Sequence, residues 1–425
     1  MKNLRPGPAG VEPTPSTAKE KGFWALNWLR FALALYLVLF HTLRVTYTPI
    51  KDSWLDSVLS LGNMATSIFF VLSGFLLTHA YVVMKKGREI NRRNFWIARF
   101  STLYPLHVVA LFLTIGPAAA TIFAKGGITV AVDALGFETR ILEQWEVALS
   151  LFMTVTLTNA WNPFYLVFNG PSWSLSALGF YYLIFPMIAL KIYRMKSLKA
   201  ALLFLGIAFF LPGVIADLPY RTDAFTTGLL HRNPIVRLPL FVAGMVLCVL
   251  FARNPTIASR RQQMLYGLLI VATAALAIVL DYRKVHLHII QNGLYFPASL
   301  AIIWLCAAAR PSLHPKLRYW GDRLGAASLP MFLLHVPLFT LFRKTEQVVA
   351  VWPSASGGLS SVLASARHVE QSMALYPLYL VLLVITCVVV QERFVTRLQA
   401  AIRNRFSARD MAKKPAVAPQ AETGS

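Results

Sequence analysis

The sequence has little charge, and especially little negative charge. Only 14% of its 425 residues are Asp, Glu, Lys or Arg, whereas an average soluble domain has roughly 25%. Hydrophobic residues make up 56% of the chain, and the mean hydropathy is +0.57. Apolar runs recur from Trp24 to Val390, with lengths near the ~20 residues that a helix needs to cross a ~30 Å hydrocarbon layer. This composition excludes a string of soluble domains and predicts an all-α, polytopic membrane protein.

Cysteine and several common catalytic motifs are also scarce. The three cysteines, Cys248, Cys306 and Cys387, all lie in apolar segments, which argues against a disulfide framework. No Cys/His cluster has the spacing of a zinc site, so we expect no metal. The sequence has no P-loop, GxSxG or HExxH motif and therefore gives no support to nucleotide-driven transport or zinc hydrolysis.

The small number of acidic residues leaves a strong positive excess. The chain has 18 Asp and Glu against 41 Lys and Arg, a net charge of +23. These basic residues lie in short loops and tails between apolar segments, where positive-inside topology accounts for most of them. We therefore expect no nucleic-acid partner. The lipid bilayer, with anionic headgroups or a phosphorylated cofactor at the basic face, is the expected partner.

Eleven apolar segments are candidates for membrane spans: 24–47, 59–83, 100–123, 147–160, 173–190, 199–216, 235–252, 264–280, 290–309, 326–342 and 374–391. Segment 147–160 is shorter than the ~17 residues needed to span. If it is short or re-entrant, every later basic loop falls on the same side as the basic loop 84–99. We therefore predict a helix bundle of about ten spans plus one short or re-entrant segment, with both termini cytoplasmic.

The chain divides into three parts by composition. Residues 1–22 are rich in Pro, Gly, Ala and Thr and predict a disordered cytoplasmic leader. Residues 23–393 form the predicted transmembrane domain, and residues 394–425 a basic and then polar cytoplasmic tail.

The first span contains two ionisable residues separated by an apolar run, Arg30 and His41. Eleven residues of α-helix advance about 16 Å and just over three turns, so both side chains share one face. An ionisable residue inside a span usually faces the bundle interior, and neutral His is a suitable general base near neutral pH. From spacing alone, an interfacial Arg and a His bonded to a neighbouring helix are equally acceptable.

Three further groups are candidates for chemistry. The arginines before the third span suit phosphates, although membrane orientation also explains them. A serine-rich box beside a tryptophan suits a polar ligand or a helix cap, and a late intramembrane His suits chemistry or helix–helix hydrogen bonding. These groups are Arg92, Arg93 and Arg99; Trp173, Ser174 and Ser176; and His335.

Taken together and in order, the motifs resemble the acyltransferase-3 family of integral-membrane O-acyltransferases. The resemblance covers residues 23–393. It rests on Arg30-x10-His41, Phe-Phe-Val-Leu-Ser-Gly-Phe at 69–75, Leu-Tyr-Pro-Leu-His at 103–107, Pro-Ser-Trp-Ser-Leu-Ser at 171–176 and Phe-Leu-Leu-His-Val-Pro at 332–337. The Arg-x10-His pair and the serine-rich box are its most specific parts.

This resemblance implies a bundle of roughly ten spans, in a bacterial inner membrane, that moves an acyl group to a hydroxyl. The donor is usually acetyl-CoA. The acceptors are mainly sugars of exopolysaccharide, lipopolysaccharide, peptidoglycan or Nod factor, and less often macrolides or lipids, so the expected acceptor is a glycan or a lipid-linked sugar. His41 matches the family's essential histidine and Arg30 its partner. The tail after Arg393 leaves no room for a fused hydrolase-like domain, so the chain resembles the stand-alone type.

Two positions depart from the family pattern. Thr102 stands where a second arginine usually follows Arg99, and Leu178 stands where a glutamate is common. These departures put the full catalytic constellation in doubt. They leave open a non-catalytic partner in a polysaccharide synthesis complex, beside the less favoured carrier or flippase for an acylated glycan or lipid.

The favoured mechanism has acyl-CoA docking from the cytoplasm, with its phosphates on Arg92, Arg93 and Arg99. His41 takes the proton from an acceptor hydroxyl as it attacks the acyl carbonyl. Either Arg30 or the serine-rich box, with His335 as a further candidate, contacts the substrate or the oxyanion. A transient acyl-His41 is the covalent alternative.

Overall fold

The computed structural model describes residues 23–51, 53–131, 139–219, 221–310, 314–354, 358–366, 368–369 and 372–412. The predicted leader and the end of the predicted tail lie outside these residues. The described chain is almost entirely helical. Its sixteen α-helices are α1 Trp24–Val38, α2 Trp54–Leu59, α3 Gly62–Thr78, α4 Arg92–Lys125, α5 Gln144–Val155, α6 Trp173–Arg194, α7 Leu198–Asp217, α8 Ala224–Arg232, α9 Pro234–Arg253, α10 Arg260–Tyr282, α11 Tyr295–Ala307, α12 Pro315–Ala326, α13 Ser328–Val351, α14 Leu359–Ala366, α15 Tyr376–Val389 and α16 Thr396–Ala412.

Nine helical stretches in the described residues are long and apolar enough to cross a membrane, and a bent pair, α12 with α13, makes a possible tenth. This count confirms the predicted helix bundle of about ten spans. Helix α5 has 12 residues and is not among the candidate spans, as expected for the short segment. The prediction missed one small antiparallel hairpin, in which β1 Thr129–Ala131 pairs with β2 Thr139–Ile141.

The basic loops meet at one end of the bundle, which we call the basic end. Arg253 at the end of α9 donates to the backbone of Tyr193 in the last turn of α6. The backbone N–H of Ala258 donates to Ala308, which follows α11. Arg323 of α12 pairs with Glu392. Helix α1 begins at this end, because its first residues bond to the start of the α12 region. The side of the membrane that the basic end faces stays a prediction.

The centre of the bundle is the contact between α3 and α9, which two glycines make possible. A side chain on Gly74 would collide with the backbone oxygen of Phe241, and one on Gly244 with that of Val71. Small residues that let two helix backbones approach are a common packing device inside membranes. This close crossing fixes α3, one face of which lines the cavities described below.

Candidate active site

His41 lies where the first span changes its helical repeat. Helix α1 ends at Val38, and residues Leu39–Arg44 continue it as a π-helix. Such short π-helical segments occur frequently at functional sites because they redirect a side chain within an otherwise regular helix.

His335 of α13 holds His41 from across the bundle. The Nε2 atom of His335 lies 3.0 Å from Nδ1 of His41. The other ring nitrogen of His335, Nδ1, lies 3.0 Å from the Met331 carbonyl, which can only accept. His335 Nδ1 therefore carries a proton, and in the neutral ring Nε2 is the acceptor. It follows that Nδ1–H of His41 donates to His335, and His41 also bonds to the Leu37 carbonyl one turn earlier. In the neutral His41 ring, Nε2 is then unprotonated.

A proline and a buried asparagine set the position of His335. Pro337 has no N–H to donate to Leu333, four residues earlier, and the side chain of Asn169 donates to this carbonyl instead, at 3.1 Å. Asn169 adopts a positive φ of 38°, a conformation that Asn tolerates better than most residues. The Tyr379 hydroxyl donates to the His335 carbonyl at 2.8 Å. These bonds fix the helix that presents His335.

The structure adds a third histidine, His231, which sequence reasoning missed. Its ring packs on Trp173 with 4.7 Å between centroids, and it lies within electrostatic reach of His41. The fully buried Arg237 donates to the His231 carbonyl at 2.8 Å. His231 is near the end of the short helix α8, and its sequence neighbours give no signal beyond the residue type.

A cavity of about 440 Å³ lies on the basic-end side of the histidines, and we call it the donor-side cavity. Its lining includes Leu37 and Phe332, each one helical turn before one of the two bonded histidines, but none of the three histidines described above. Arg30 and Arg99 line it and lie within electrostatic reach of each other. Its remaining lining is largely apolar, and no Asp or Glu is among the described residues that line it. Two positive charges in one cavity without an acidic partner favour an anionic ligand.

The two positions that depart from the family pattern both line this donor-side cavity. They are Thr102 on α4 and Leu178 on α6. The arginine and the glutamate of the family pattern would therefore both line this cavity. Because their charges are opposite, the net charge of the cavity is the same without them. This placement weakens the argument that the departures destroy a catalytic constellation.

The three predicted cofactor-binding arginines do not lie together. Arg99 faces the donor-side cavity, where its guanidinium donates to the Tyr81 hydroxyl at 2.9 Å. Arg92 and Arg93 are exposed in the first turn of α4, roughly 10 Å away along the helix. Helix N-termini attract anions through their free N–H groups, so α4 presents positive charge both at the surface and inside.

The predicted serine-rich box divides between packing and the cavity. Ser174 lines the donor-side cavity, and its hydroxyl donates to Pro171. Ser176 accepts from the backbone N–H of Ala160 at 3.2 Å and is buried. Trp173 is buried against Phe70 and His231. Ser174 is thus the serine of the predicted set that faces the cavity, while Ser176 secures the preceding loop.

A smaller, polar cavity of about 150 Å³ lies toward the opposite end, and we call it the polar cavity. Asn63 of α3 and Thr227 of α8 line it. Thr66, one turn after Asn63, already lines the donor-side cavity, and His231 lies one turn after Thr227. His231 thus lies one turn beyond the lining of the polar cavity, just as the bonded histidine pair lies one turn beyond the lining of the donor-side cavity.

The geometry suits proton transfer between two substrates that arrive from opposite ends. A cationic, largely apolar cavity comes within one helical turn of His41 and His335 on one side, and a polar cavity comes within one turn of His231 on the other. A His ring with one nitrogen held and the other free is the arrangement that a general base needs. In the described residues no cluster of three or more His, Cys, Asp or Glu could hold a metal ion.

Comparison with known proteins identifies the class. The acyltransferase domain of the acyltransferase-3 family matches residues 23–392, so the chain belongs to this family, and the predicted resemblance is confirmed. The protein is a multi-pass integral membrane O-acyltransferase.

Several known proteins are similar to this chain at a low level of sequence identity. Acyltransferase MdmB of Streptomyces mycarofaciens is 26% identical over 325 residues, which cover 71% of this chain and 75% of the relative. Peptidoglycan O-acetyltransferase OatA of Listeria monocytogenes is 26% identical over 327 residues, which cover 66% of this chain and 45% of the relative. Protein 2 in the picA locus of Rhizobium radiobacter is 31% identical over 166 residues, or 38% of this chain and 78% of the relative. No solved structure matches the chain.

Proposed function

We propose that this protein transfers an acyl group, most simply acetyl, from acyl-CoA to a hydroxyl of a cell-envelope or exported glycan. The observation that carries the proposal is the His41–His335 pair, which lies one helical turn beyond the lining of the cationic cavity, with His231 one turn beyond the lining of the polar cavity. The glycan acceptor is inferred from the relative named as a peptidoglycan O-acetyltransferase.

Acyl-CoA enters from the basic end, which faces the cytoplasm of a bacterial inner membrane. Its phosphates contact Arg92 and Arg93 at the start of α4, and its thioester arm extends past Arg99 and Arg30. The charges that line this path are positive throughout, and the apolar remainder of the donor-side cavity suits the pantetheine arm and the acyl group.

The acceptor hydroxyl approaches from the polar cavity. His41 Nε2 takes the hydroxyl proton as the oxygen attacks the thioester carbon. The carbon–sulfur bond then breaks, the ester forms, and the proton passes to the sulfur of the departing CoA. Arg30 lies about 16 Å from His41 along the first span, so its role is to hold the donor in the donor-side cavity, where Ser174 lies on the wall.

The test uses purified protein and radiolabelled acetyl-CoA, with and without an envelope glycan extract. Glycan-dependent CoA release should fall about 10²- to 10⁴-fold in His41→Ala, the range that one general base contributes. A matched control is His314→Ala, a histidine outside the site at the start of α12, which should retain activity. Unchanged release in His41→Ala protein that remains folded would overturn the mechanism.

A further inference from the structure

An apolar groove of about 580 Å³ lies on the membrane-facing side of the bundle. It runs between α7, α10 and the segment 287–297 that leads into α11. Large apolar side chains on its rim are open to the lipid phase, with Leu203 67% and Ile207 55% exposed. Along α7 the groove extends from Leu202 to Phe210, a length of about 12 Å.

Two glycines and an irregular helix start shape the wall of this groove. A side chain on Gly206 would come within 3.2 Å of the Phe296 ring, and one on Gly293 would collide with the Phe210 ring. The residues Ile290–Leu294 are π-helical, and Asn292 departs from helical geometry. The glycines therefore let the Phe296 and Phe210 rings pack closely against the backbone in the wall of the groove.

The groove adjoins the polar cavity. Leu287 and Ile290 line both of them, so the apolar space meets the polar space at these two residues. A single ligand that fits both has an apolar chain and a compact polar headgroup.

The lining of the polar cavity indicates the chemistry of that headgroup. Asn63 and Gln291 offer amides, and Asp281 offers a carboxylate. Amide and carboxylate oxygens accept from hydroxyl groups, and amide N–H groups donate to them. No Lys or Arg is among the described residues that line this cavity, and its basic side chains are His286 and His288. The nearby Arg44 already pairs with acidic side chains, so the cavity has no fixed positive charge for a phosphate. This lining favours a neutral headgroup with several hydroxyls.

We propose that the groove and the polar cavity form one site for a lipid-linked acceptor, a sugar carried on an apolar chain. The assignment of this ligand as acceptor rests on the proposed function. In this site the chain lies in the groove within the membrane, and the sugar occupies the polar cavity. Thr227 of that cavity is one helical turn from His231, so a sugar hydroxyl is presented to the histidines without leaving the membrane surface.

The test is photolabelling of the full-length protein in phosphatidylcholine nanodiscs. The probe is decyl glucoside with a diazirine in its alkyl chain, and the comparison is phosphatidylcholine with the same diazirine chain. The glucoside should label α7 around Ile207 about tenfold more than the phospholipid does, a preference of about 1.4 kcal/mol.

Two variants separate the groove from the rest of the lipid-facing surface. Ile207→Trp fills the groove and should reduce glucoside labelling about tenfold. Leu211→Trp is the matched control, because Leu211 is 50% exposed on the same helix and does not line the groove. Asn63→Leu should reduce labelling by the glucoside without changing labelling by the phospholipid.

Equal labelling by the two probes would mean that the groove holds bulk lipid only, and this result would overturn the proposal. Equal labelling of the Ile207→Trp and Leu211→Trp proteins would overturn it as well. The labelling needs no acyl donor, so its failure is separate from a failure of acyl transfer. Specific labelling without acylation would support the lipid site while contradicting its assignment to an acceptor. CoA release with methyl glucoside, in a protein that the decyl glucoside probe does not label, would support acyl transfer to a sugar and contradict the lipid site.

Discussion

Replacing His335 tests whether the histidine pair works as the geometry indicates. In His335→Phe, the buried Nδ1–H of His41 loses its 3.0 Å acceptor. An unsatisfied buried donor costs about 1–3 kcal/mol, and the His41 ring reduces this cost by turning toward its other acceptor, the Leu37 carbonyl, or by moving its proton to Nε2. Either change takes the unprotonated nitrogen of His41 away from the hydroxyl of the acceptor substrate. We therefore expect kcat for glycan-dependent CoA release to fall about 5- to 150-fold, the factor that 1–3 kcal/mol represents.

His335→Gln provides the matched control, because its amide oxygen can accept from His41 while the ring is gone. It should recover most of the activity that His335→Phe loses. KM for acetyl-CoA should be unchanged in both variants, since His335 does not line the donor-side cavity. Equal kcat in His335→Phe and the wild type would refute the reasoning, as would equal loss in the two variants when both remain folded.

Three further predictions concern packing, the donor and pH. Gly74→Ala should lower the free energy of unfolding by about 1–3 kcal/mol through overpacking, whereas Gly267→Ala, which has open space, should not; equal melting temperatures would contradict this. Leu178→Glu should raise KM for acetyl-CoA severalfold, because a carboxylate in the cationic cavity opposes an anionic donor, and an unchanged KM would count against that donor site. Hydrogen bonds from Arg140 lower the pKa of Glu146 to about 2 from its ordinary 4.5, so their contribution to stability should be constant above pH 4.5 and decrease toward pH 2; hydrogen exchange at the start of α5 that is equally fast at pH 3 and 6, after correction for intrinsic rates, would contradict this.

The sequence predicts the general architecture because the membrane imposes a single rule. Every backbone group in the hydrocarbon layer must be bonded within a helix, so apolar length alone identifies the spans. The short segment was also predictable, because 147–160 is too short to cross. The hairpin at Thr129–Ala131 and Thr139–Ile141 was not, since three-residue strands leave no periodic pattern that can be distinguished from a loop.

The site was predictable only in part. Arg30 and His41 stand out because an ionisable residue is costly inside a span, and this cost is visible in one segment of sequence. The bond from His41 to His335 joins residues 294 positions apart, and spacing carries no information on such a pair. His231 was missed for the same reason, because its partner Trp173 is on a different helix.

Sequence also does not distinguish the cavity-lining Arg99 from the exposed arginines of the same helix, because that difference depends on the tertiary structure. Helix periodicity places Arg92 and Arg99 on similar faces of α4, but it does not say that a cavity begins between them. The sequence therefore predicts the charge of this helix, while the structure determines which charge is inside.

The prolines in the membrane helices have a consequence for sequence variation. Pro186 leaves the Tyr182 carbonyl without a helical partner, and the Trp96 indole donates to it at 3.0 Å, just as Asn169 serves the carbonyl that Pro337 leaves free. If such a proline is lost, its helix supplies the missing N–H, and the side chain that served the carbonyl becomes a buried donor without an acceptor. If the side chain is lost first, the carbonyl is stranded. Each proline and its distant donor should therefore be inherited or replaced together, as coupled pairs of positions that bind one helix to another.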